Sequence, residues 1–481
     1  MTSDTVPRIV LKFGGTSVSS RKGWDTIAGL VEERLALGHR ILIVHSALAG
    51  ITDMLERLPD EALEGRHSSL LDRLTERHFE LCGQLELDGP TLLGEELAEL
   101  RKAAEGVALV EESTPRVRAR ILASGERLST RLGAAFLVSG GHPVERLDAG
   151  TLLRAVVTDR QSGSAIWLSA ECDPDLEPAV RDHLDALTGV GLTQGFTART
   201  EPGEPVVLGR GGSDTAAAYL AGKWGADRLE IWSDVPGMFS ADPRLVPSAR
   251  LLKRLNYHEA QEITTTGSGV VHPRAIRALR DSGIPIHLKS TMDLGSPSTV
   301  IESNGTTAAP QVKAISWKGK VVLISMETLG MWHEIGFLAQ AFAVFKEQGI
   351  SVDLVSTSET NVTVSLDSKA TLLDKEKLAA VRAGLSQFCR VQVIRPCTAV
   401  SLVGSRIREL LHRMGPVMEV FEGHRIHLVS QAASDLNFTV VVDEEGTDRL
   451  VRRLHDLLIP RSVESEVFGP SWEELSRVGT G

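Results

Sequence analysis

Cysteine is scarce. Only four occur in 481 residues, Cys82, Cys172, Cys389 and Cys397. They form no CxxC pair and no cluster with metal-ligand spacing, which argues against a disulfide scaffold and a structural zinc site. No uninterrupted apolar stretch is long enough to span a bilayer. The first residues lack the basic and apolar regions of a signal peptide, so a cytoplasmic chain is expected. Two phosphate motifs are also missing. There is no GxxxxGK[ST], so the chain is not a P-loop protein, and no GxGxxG after a strand, so a dinucleotide fold has little support. Basic residues are in deficit: 52 Lys and Arg against 63 Asp and Glu leave a formal charge of -11. Such a surface argues against nucleic acid or an anionic membrane as partner, and leaves room for a local basic phosphate site.

What remains is an ordinary globular composition, 42% hydrophobic and 24% charged, in a chain long enough for two or three domains. The first 300 or so residues alternate strand-like and helix-like segments, which implies an α/β sandwich with a largely parallel sheet. RIVLKF reads as a strand, TIAGLVEERLALG as an amphipathic helix ending at Gly38, and HRILIVHSA as the next strand. Residues 53–118 are helix-rich, with leucines three and four apart. Later strands are expected at GHPVERL, GVGLTQGF, EPVVLGR, DRLEIWSD and IPIHLKS. Composition shifts at ESNGTTAAPQV, a linker. Beyond it the order strand, helix, strand, strand, helix, strand runs once and then starts again. SVDLVSTSETNVTVSLD pairs with HLVSQAASDLNFTVVVD, so two copies of a small α/β unit are expected.

Four polar turns carry the chemistry. In KFGGTS, Lys12 ends the first strand, and Gly14 and Gly15 allow the backbone to approach a ligand. Their N–H groups and the following helix terminus suit phosphate oxygens, and Lys12 suits a moving phosphoryl group. Alternatively this is a plain strand-to-helix turn. In LGRGGSDTAAAYLAG, Ser213 and Asp214 open an alanine-rich helix after a glycine turn containing Arg210. Asp214 is either a helix-dipole residue or part of an anion-and-substrate turn, and the cluster favours the latter. In SGERLST, Glu126 and Arg127 are read at a helix start, with Glu126 either an ammonium receptor or a capping-box acid. In WSDVPGMFSADPR, Asp234 follows a strand, where open α/β sheets bind ligands.

Together, KFGGTS, the Ser46 to Thr52 loop, SGERLS, TQGF, GRGGSD, SDVPGMFSADPR and VVHPRAI closely resemble the aspartokinases of the amino acid kinase family, over roughly residues 8–462. The resemblance implies a three-layer α/β/α kinase sandwich followed by two ferredoxin-like ACT domains. The implied boundaries are 1–302 for the kinase, 303–317 for a linker and first strand, 318–394 and 395–462 for the two ACT domains, and 463–481 for a polar tail. It implies ATP- and Mg2+-dependent phosphorylation of the β-carboxylate of L-aspartate to 4-phospho-L-aspartate, the first step toward lysine, threonine and methionine. Lys12, Arg210 and Asp214 would be catalytic. Ser46, Thr52, Glu126, Phe196, Arg210 and Ser213 would bind substrate. Lys12, Gly14, Gly15, Thr16, Ser17, Ser233, Asp234, Phe239 and Arg244 would bind nucleotide. No residue is assigned to a metal. One departure stands out: Gly269 occupies a place where the family often has lysine, so the charged nucleotide contact is either lost or supplied elsewhere, by Lys289 or Arg274.

The second half is similar to lysine-inhibited forms through GFLA and SVDLVSTSE. The effector residues would be Met331, Glu334, Gly336, Phe337, Leu338, Asp353, Ser358 and Glu359, although Phe337, Leu338 and Phe342 also read as core, the preferred reading for the aromatics. Glu334 stands where a small serine is usual, and its bulk and negative charge would reshape the pocket or change which effector fits; lysine remains the first expected effector, threonine the second, and loss of feedback the third. Paired regulatory domains imply a homodimer or a dimer of dimers, and some relatives join the kinase to a later enzyme of lysine synthesis. The alternatives are another carboxylate-phosphorylating amino acid kinase, acting on glutamate for example, or an amino-acid sensor that kept the fold.

Overall fold

The computed structural model describes residues 6–156, 163–267, 269–305, 310–327, 335–367, 375–413, 415–431, 433–461 and 465–478. The chain forms two compact units. The first comprises Met1–Met238, Lys253–Tyr257 and Val270–Gly305; the second comprises Phe239–Leu252, His258–Gly269 and Thr306–Gly481. The expected kinase segment 1–302 is therefore interrupted twice by pieces of the second unit.

The first unit is built on an eight-stranded sheet. Its strand order is Arg254–Asn256, Thr299–Glu302, Ile286–Ser290, Arg228–Ser233, Arg8–Phe13, Arg40–His45, Val190–Gln194, Val144–Leu147. Pairing is parallel except between Ile286–Ser290 and Thr299–Glu302. Strand Arg8–Phe13 lies inside the sheet with every residue after Arg8 buried, the pattern of a strand covered on both faces. Helix Arg21–Ala36 begins where the Ser20 hydroxyl accepts from Gly23 N, a side-chain N-cap. Four long helices follow the second strand: Ile51–Leu63, His67–Gln84, Gly89–Val110 and Pro115–Ser139. Their leucines share one core with Trp24, Ile27 and Ile43.

Two local expectations change. SGERLST does not open a helix. It lies within Pro115–Ser139, which starts at Thr114, whose hydroxyl caps Val117 N, with proline in the first turn. Glu126 is thus not a capping-box acid. EPVVLGR does supply a strand, Pro205–Val207, but it pairs only with Thr197–Arg199 in a separate hairpin. Pro205 has no N–H to give a central ladder.

The second unit holds a six-stranded antiparallel sheet. Its order is Val355–Thr357, Asn361–Asp367, Gln311–Glu327, Arg390–Ser405, Asn437–Asp443, Ile426–Gln431. Gln311–Glu327 and Arg390–Ser405 run 17 and 16 residues. The ladder between them slips near Lys318–Leu323. Helices Phe337–Glu347 and Lys375–Leu385 pack on Val322, Ile324 and Met326. The inserted helix Tyr257–Thr265 is tied down by Glu259, 2.7 Å from Lys313 with both side chains fully buried. Residues 465–478 are more than a polar tail. Phe468–Ser471 pairs with Arg250–Leu252, and buried Phe468 lies under the Arg250 guanidinium, 5.8 Å from the ring centre. The apolar pair Val467 and Phe468 accounts for this docking.

Candidate active site

The first unit gathers its polar turns at the carboxyl ends of the central strands. Lys12 is 8% exposed, and its Nζ lies 2.5 Å from Asp214 Oδ1. The other carboxylate oxygen, Asp214 Oδ2, accepts from His272 N at 3.3 Å. His272 caps helix Pro273–Arg280, its Nδ1 accepting from Arg274 N. Burial lowers its pKa, opposed by the charge of Asp214. The glycine turn fits closely against this ring. Gly211 has φ +63°, and a Cβ there would stand 2.2 Å from His272 Cγ, so no larger residue fits.

The KFGGTS turn folds back on the sheet, with Gly14 N donating to Trp232 O at 3.4 Å and Ser17 N to Gly14 O at 3.1 Å. A Cβ on Gly15 would lie 2.8 Å from Ala47 O, so this turn and the Ser46–Thr52 loop are in backbone contact. Ser19 stitches the two together. Its hydroxyl donates to Gly15 O and accepts from Ala49 N, at 2.5 and 2.8 Å.

Glu126 stands behind that loop. It is 2% exposed. Oε1 accepts from Ala47 N at 3.2 Å, while Oε2 has no partner among the described residues. Burial pushes its carboxyl up to about 8, against the lowering effect of the Ala47 N–H. Such a buried acid gains its charge when a cation arrives. Ser46 and Thr52 are half-buried, and Ser46 O accepts from Ser129 Oγ at 3.0 Å. Phe196 is nearly buried and holds a left-handed backbone with φ 63°, a strained conformation for an aromatic residue. Gly195 abuts Ser213, and Gly212 abuts the Phe196 ring. Arg210 is exposed and makes no ion pair among the described residues.

Around Ser233 the geometry involves a residue absent from the sequence reading. Thr291 donates to Ser233 O through both N and Oγ1, at 2.8 and 3.0 Å. Its Oγ1 is also 3.3 Å from Ser17 Oγ. Asp234 is exposed. Phe239 must be reassigned: it is 4% exposed and stands edge-on to half-buried Trp472 within the second unit, so its ring is packing material. Arg244, in the same unit, closes a two-point clamp on Asp242 at 3.0 and 2.7 Å. Of the expected stand-ins for the missing lysine, Arg274 is already engaged. It donates to Leu208 O at 2.6 Å and Ser169 O at 3.3 Å, bracing the glycine turn. Lys289 Nζ sits 5.2 Å above the Trp232 ring. Gly269 is open, with no atom within 4 Å of where its Cβ would stand.

Of the regulatory residues, Met331 and Glu334 lie outside the described residues. Gly336 caps helix Phe337–Glu347. Phe337 is 3% exposed against Phe388, a core position and no ligand contact. Leu338 is exposed. Asp353 is held by Lys318 at 3.0 Å, and Lys318 also meets Asp367 at 2.8 Å. Ser358 and Glu359 are exposed beside the turn into strand Asn361–Asp367. Ser19, His45 and Thr291 lie outside the residues singled out from the sequence, whereas Ser129 and His272 lie inside SGERLST and VVHPRAI but carry no role assigned there. The available local signals were the place of Ser129 one helical turn beyond Glu126 and that of His272 before a helix-opening proline.

A sequence model of the amino acid kinase family matches residues 7–290, and the chain belongs to that family. It is 31% identical over 461 residues to the lysine-sensitive aspartokinase 3 of Escherichia coli (strain K12), covering 94% of this chain and 99% of the relative. Aspartokinase 2, chloroplastic, of Arabidopsis thaliana is 28% identical, covering 93% of this chain and 83% of the relative. Among solved structures, E. coli aspartokinase III in complex with aspartate and ADP (R-state) superposes with a TM-score of 0.80 at 30% identity, covering 94% of this chain and 100% of that one. The same enzyme with lysine and aspartate (T-state) gives 0.73 at 31% identity, covering 94% and 99%.

Proposed function

We propose that the chain is an aspartate kinase, transferring the γ-phosphoryl group of ATP to the β-carboxylate of L-aspartate. The observation that carries this reading is the unpartnered buried oxygen of Glu126, in one unit with the Lys12–Asp214 pair. An amino acid with an additional carboxylate matches these groups. Glu126 receives the ammonium, and Arg210 forks onto a carboxylate, for which its planar guanidinium is suited. Ser46, Thr52, Phe196 and Ser213 complete the pocket. No general base is required, because a carboxylate with a pKa of about 4 is already a nucleophile at neutral pH. Lys12, oriented by Asp214, neutralises charge on the transferring group. Gly14, Gly15, Thr16 and Ser17 cradle the phosphates, with Ser233 and Asp234 on the nucleotide side.

Magnesium fits this donor set. No group of three or more His, Cys, Asp or Glu suited to a metal occurs among the described residues, and magnesium takes most of its ligands from phosphate and water with one or two carboxylates. Asp234, exposed after strand Arg228–Ser233, is such a carboxylate. Held there with ATP, magnesium would supply positive charge to the polyphosphate, with Asp234 as its protein ligand.

Lysine is the proposed feedback effector, with Asp353 accepting its ammonium in exchange for Lys318. The two sheet repeats, 318–394 and 395–462, are read as paired ACT domains. Exposed Val355, Ile426 and Val429 on the outer strands support pairing of two chains there, as a homodimer or a dimer of dimers.

Acyl-phosphate trapping with hydroxylamine tests the reading, with aspartate and glutamate run in parallel. The expected product is aspartyl hydroxamate alone, dependent on ATP and magnesium and diminished by lysine. Glutamyl hydroxamate as main product would make the chain a different amino acid kinase. Effector binding without turnover would make it a sensor.

A further inference from the structure

The loop after strand Arg40–His45 is held by the last residue of that strand. His45 is fully buried, its ring edge-on to Trp24 with centroids 5.4 Å apart. Nδ1 lies 3.0 Å from Ser46 O and 3.2 Å from Ser129 Oγ. Nε2 has no partner among the described residues. Burial pushes the imidazole down to about 4, so the ring is neutral and carries one proton. Chemistry locates that proton. A bare Nδ1 would set its lone pair against a carbonyl oxygen, and a proton on Nε2 would be a buried donor with nothing to meet. A proton on Nδ1 avoids both. His45 therefore donates to Ser46 O, as Ser129 Oγ does at 3.0 Å.

Ser46 O and Ala47 N belong to one planar peptide group, with C=O and N–H directed oppositely. His45 and Ser129 pin the carbonyl end. The other end donates to Glu126 Oε1 at 3.2 Å. Fixing the carbonyl thus fixes the donor that occupies Oε1 and leaves Oε2 unpartnered. The His45 backbone adds a second tie, its carbonyl accepting from Gly195 N at 2.9 Å, the residue before Phe196.

We infer that His45 is a positioning residue for the amino-acid substrate: acting through the Ser46–Ala47 peptide, it orients Glu126 so that one carboxylate oxygen is presented to the substrate ammonium. This rests on the reading of Glu126 as the ammonium receptor. His45 touches no reacting atom, and its effect belongs to the binding of aspartate, not of ATP.

His45→Phe keeps a ring against Trp24 and removes the donor. The expected result is a rise of about tenfold in KM for aspartate, with KM for ATP changed by less than about twofold. His45→Asn places an amide N–H near the former Nδ1 and should recover most of the loss. Ser129→Ala removes the second donor and should raise the aspartate KM in the same direction. It carries the test alone if the Phe variant does not fold. The inference is overturned if aspartate KM is unchanged in folded His45→Phe or in Ser129→Ala, if both KM values rise together, or if Asn restores nothing. A wild type that phosphorylates aspartate while these variants leave KM alone would cost His45 its role and nothing else. A wild type inert toward aspartate would instead remove the reading of Glu126, and this inference with it.

Discussion

On the proposed reading, Glu126 couples ammonium binding to proton release at a single side chain. Its carboxyl is raised from 4.5 to about 8 by burial. Between those values the folded chain keeps a proton that the unfolded chain has released, so the stability this group contributes is lost as pH rises through the window. Glu126→Gln removes that loss while keeping an acceptor for Ala47 N. Above pH 8 the variant should melt about 2 °C higher than wild type. It should also show an aspartate KM more than about tenfold higher if, as proposed, the carboxylate meets the substrate ammonium. Thermal scans at pH 6 and 9 with aspartate titrations check both. Equal melting curves at pH 9 would show that the carboxylate is not strained by burial. The chemistry at this scale was legible in the sequence where it sat in compact motifs. Lys12, Arg210, Asp214 and Glu126 announce themselves through glycine turns and charge. His45, Ser129, His272 and Thr291 did not, because their partners lie 58 to 274 residues away or depend on one ring nitrogen. Thr291 finds Ser17 across 274 positions.

Among elements, the phosphate turn and the substrate loop act as one piece. Gly15 leaves no room for a side chain against Ala47 O, and Ser19 bonds both backbones. Gly15→Ala must push the loop away from the turn, displacing Ala47 and so Glu126. Because positioning carries most of the rate in phosphoryl transfer, kcat/KM should fall by at least about a hundredfold. The loss should appear for ATP and aspartate alike, unlike that of the His45 variants. A steady-state analysis varying each substrate decides this, and a loss confined to one substrate would uncouple the two loops. Strand and helix placement was largely readable here, since RIVLKF and HRILIVHSA are buried on both faces and flanked by turns. The start of helix Pro115–Ser139 was written in Thr114 and Pro115, but the richer motif at SGERLST drew the boundary inward.

At the scale of the molecule, three buried histidines and the half-buried His287 set the acid limit. His45, His78, His287 and His455 are all pushed to about 4, chiefly by burial. An unfolded histidine titrates near 6.5. The stability from these four is therefore present above that pH and is lost as pH falls toward 4. The melting temperature should drop steeply across this interval, and His78→Leu, in helix His67–Gln84, should flatten the slope. An unchanged slope would assign acid sensitivity to other groups. The sequence showed two kinds of architecture but not where one stops. Phe239 and the segment after it look continuous with the kinase motif SDVPGMFSADPR, yet they fold with Trp472, a contact 233 positions along the chain that no local pattern encodes.

That interleaving limits how such a protein is taken apart or inherited. The backbone passes between the units at 238/239, 252/253, 257/258, 269/270 and 305/306. A cut near residue 302 would leave Glu259 behind without Lys313, its fully buried counter-ion, and stranding one member of a buried pair costs about 3–5 kcal/mol. The sensing half is therefore not a cassette. Recombination that trades one feedback specificity for another must either exchange the two inserted segments as well, or alter effector preference residue by residue within an unbroken gene.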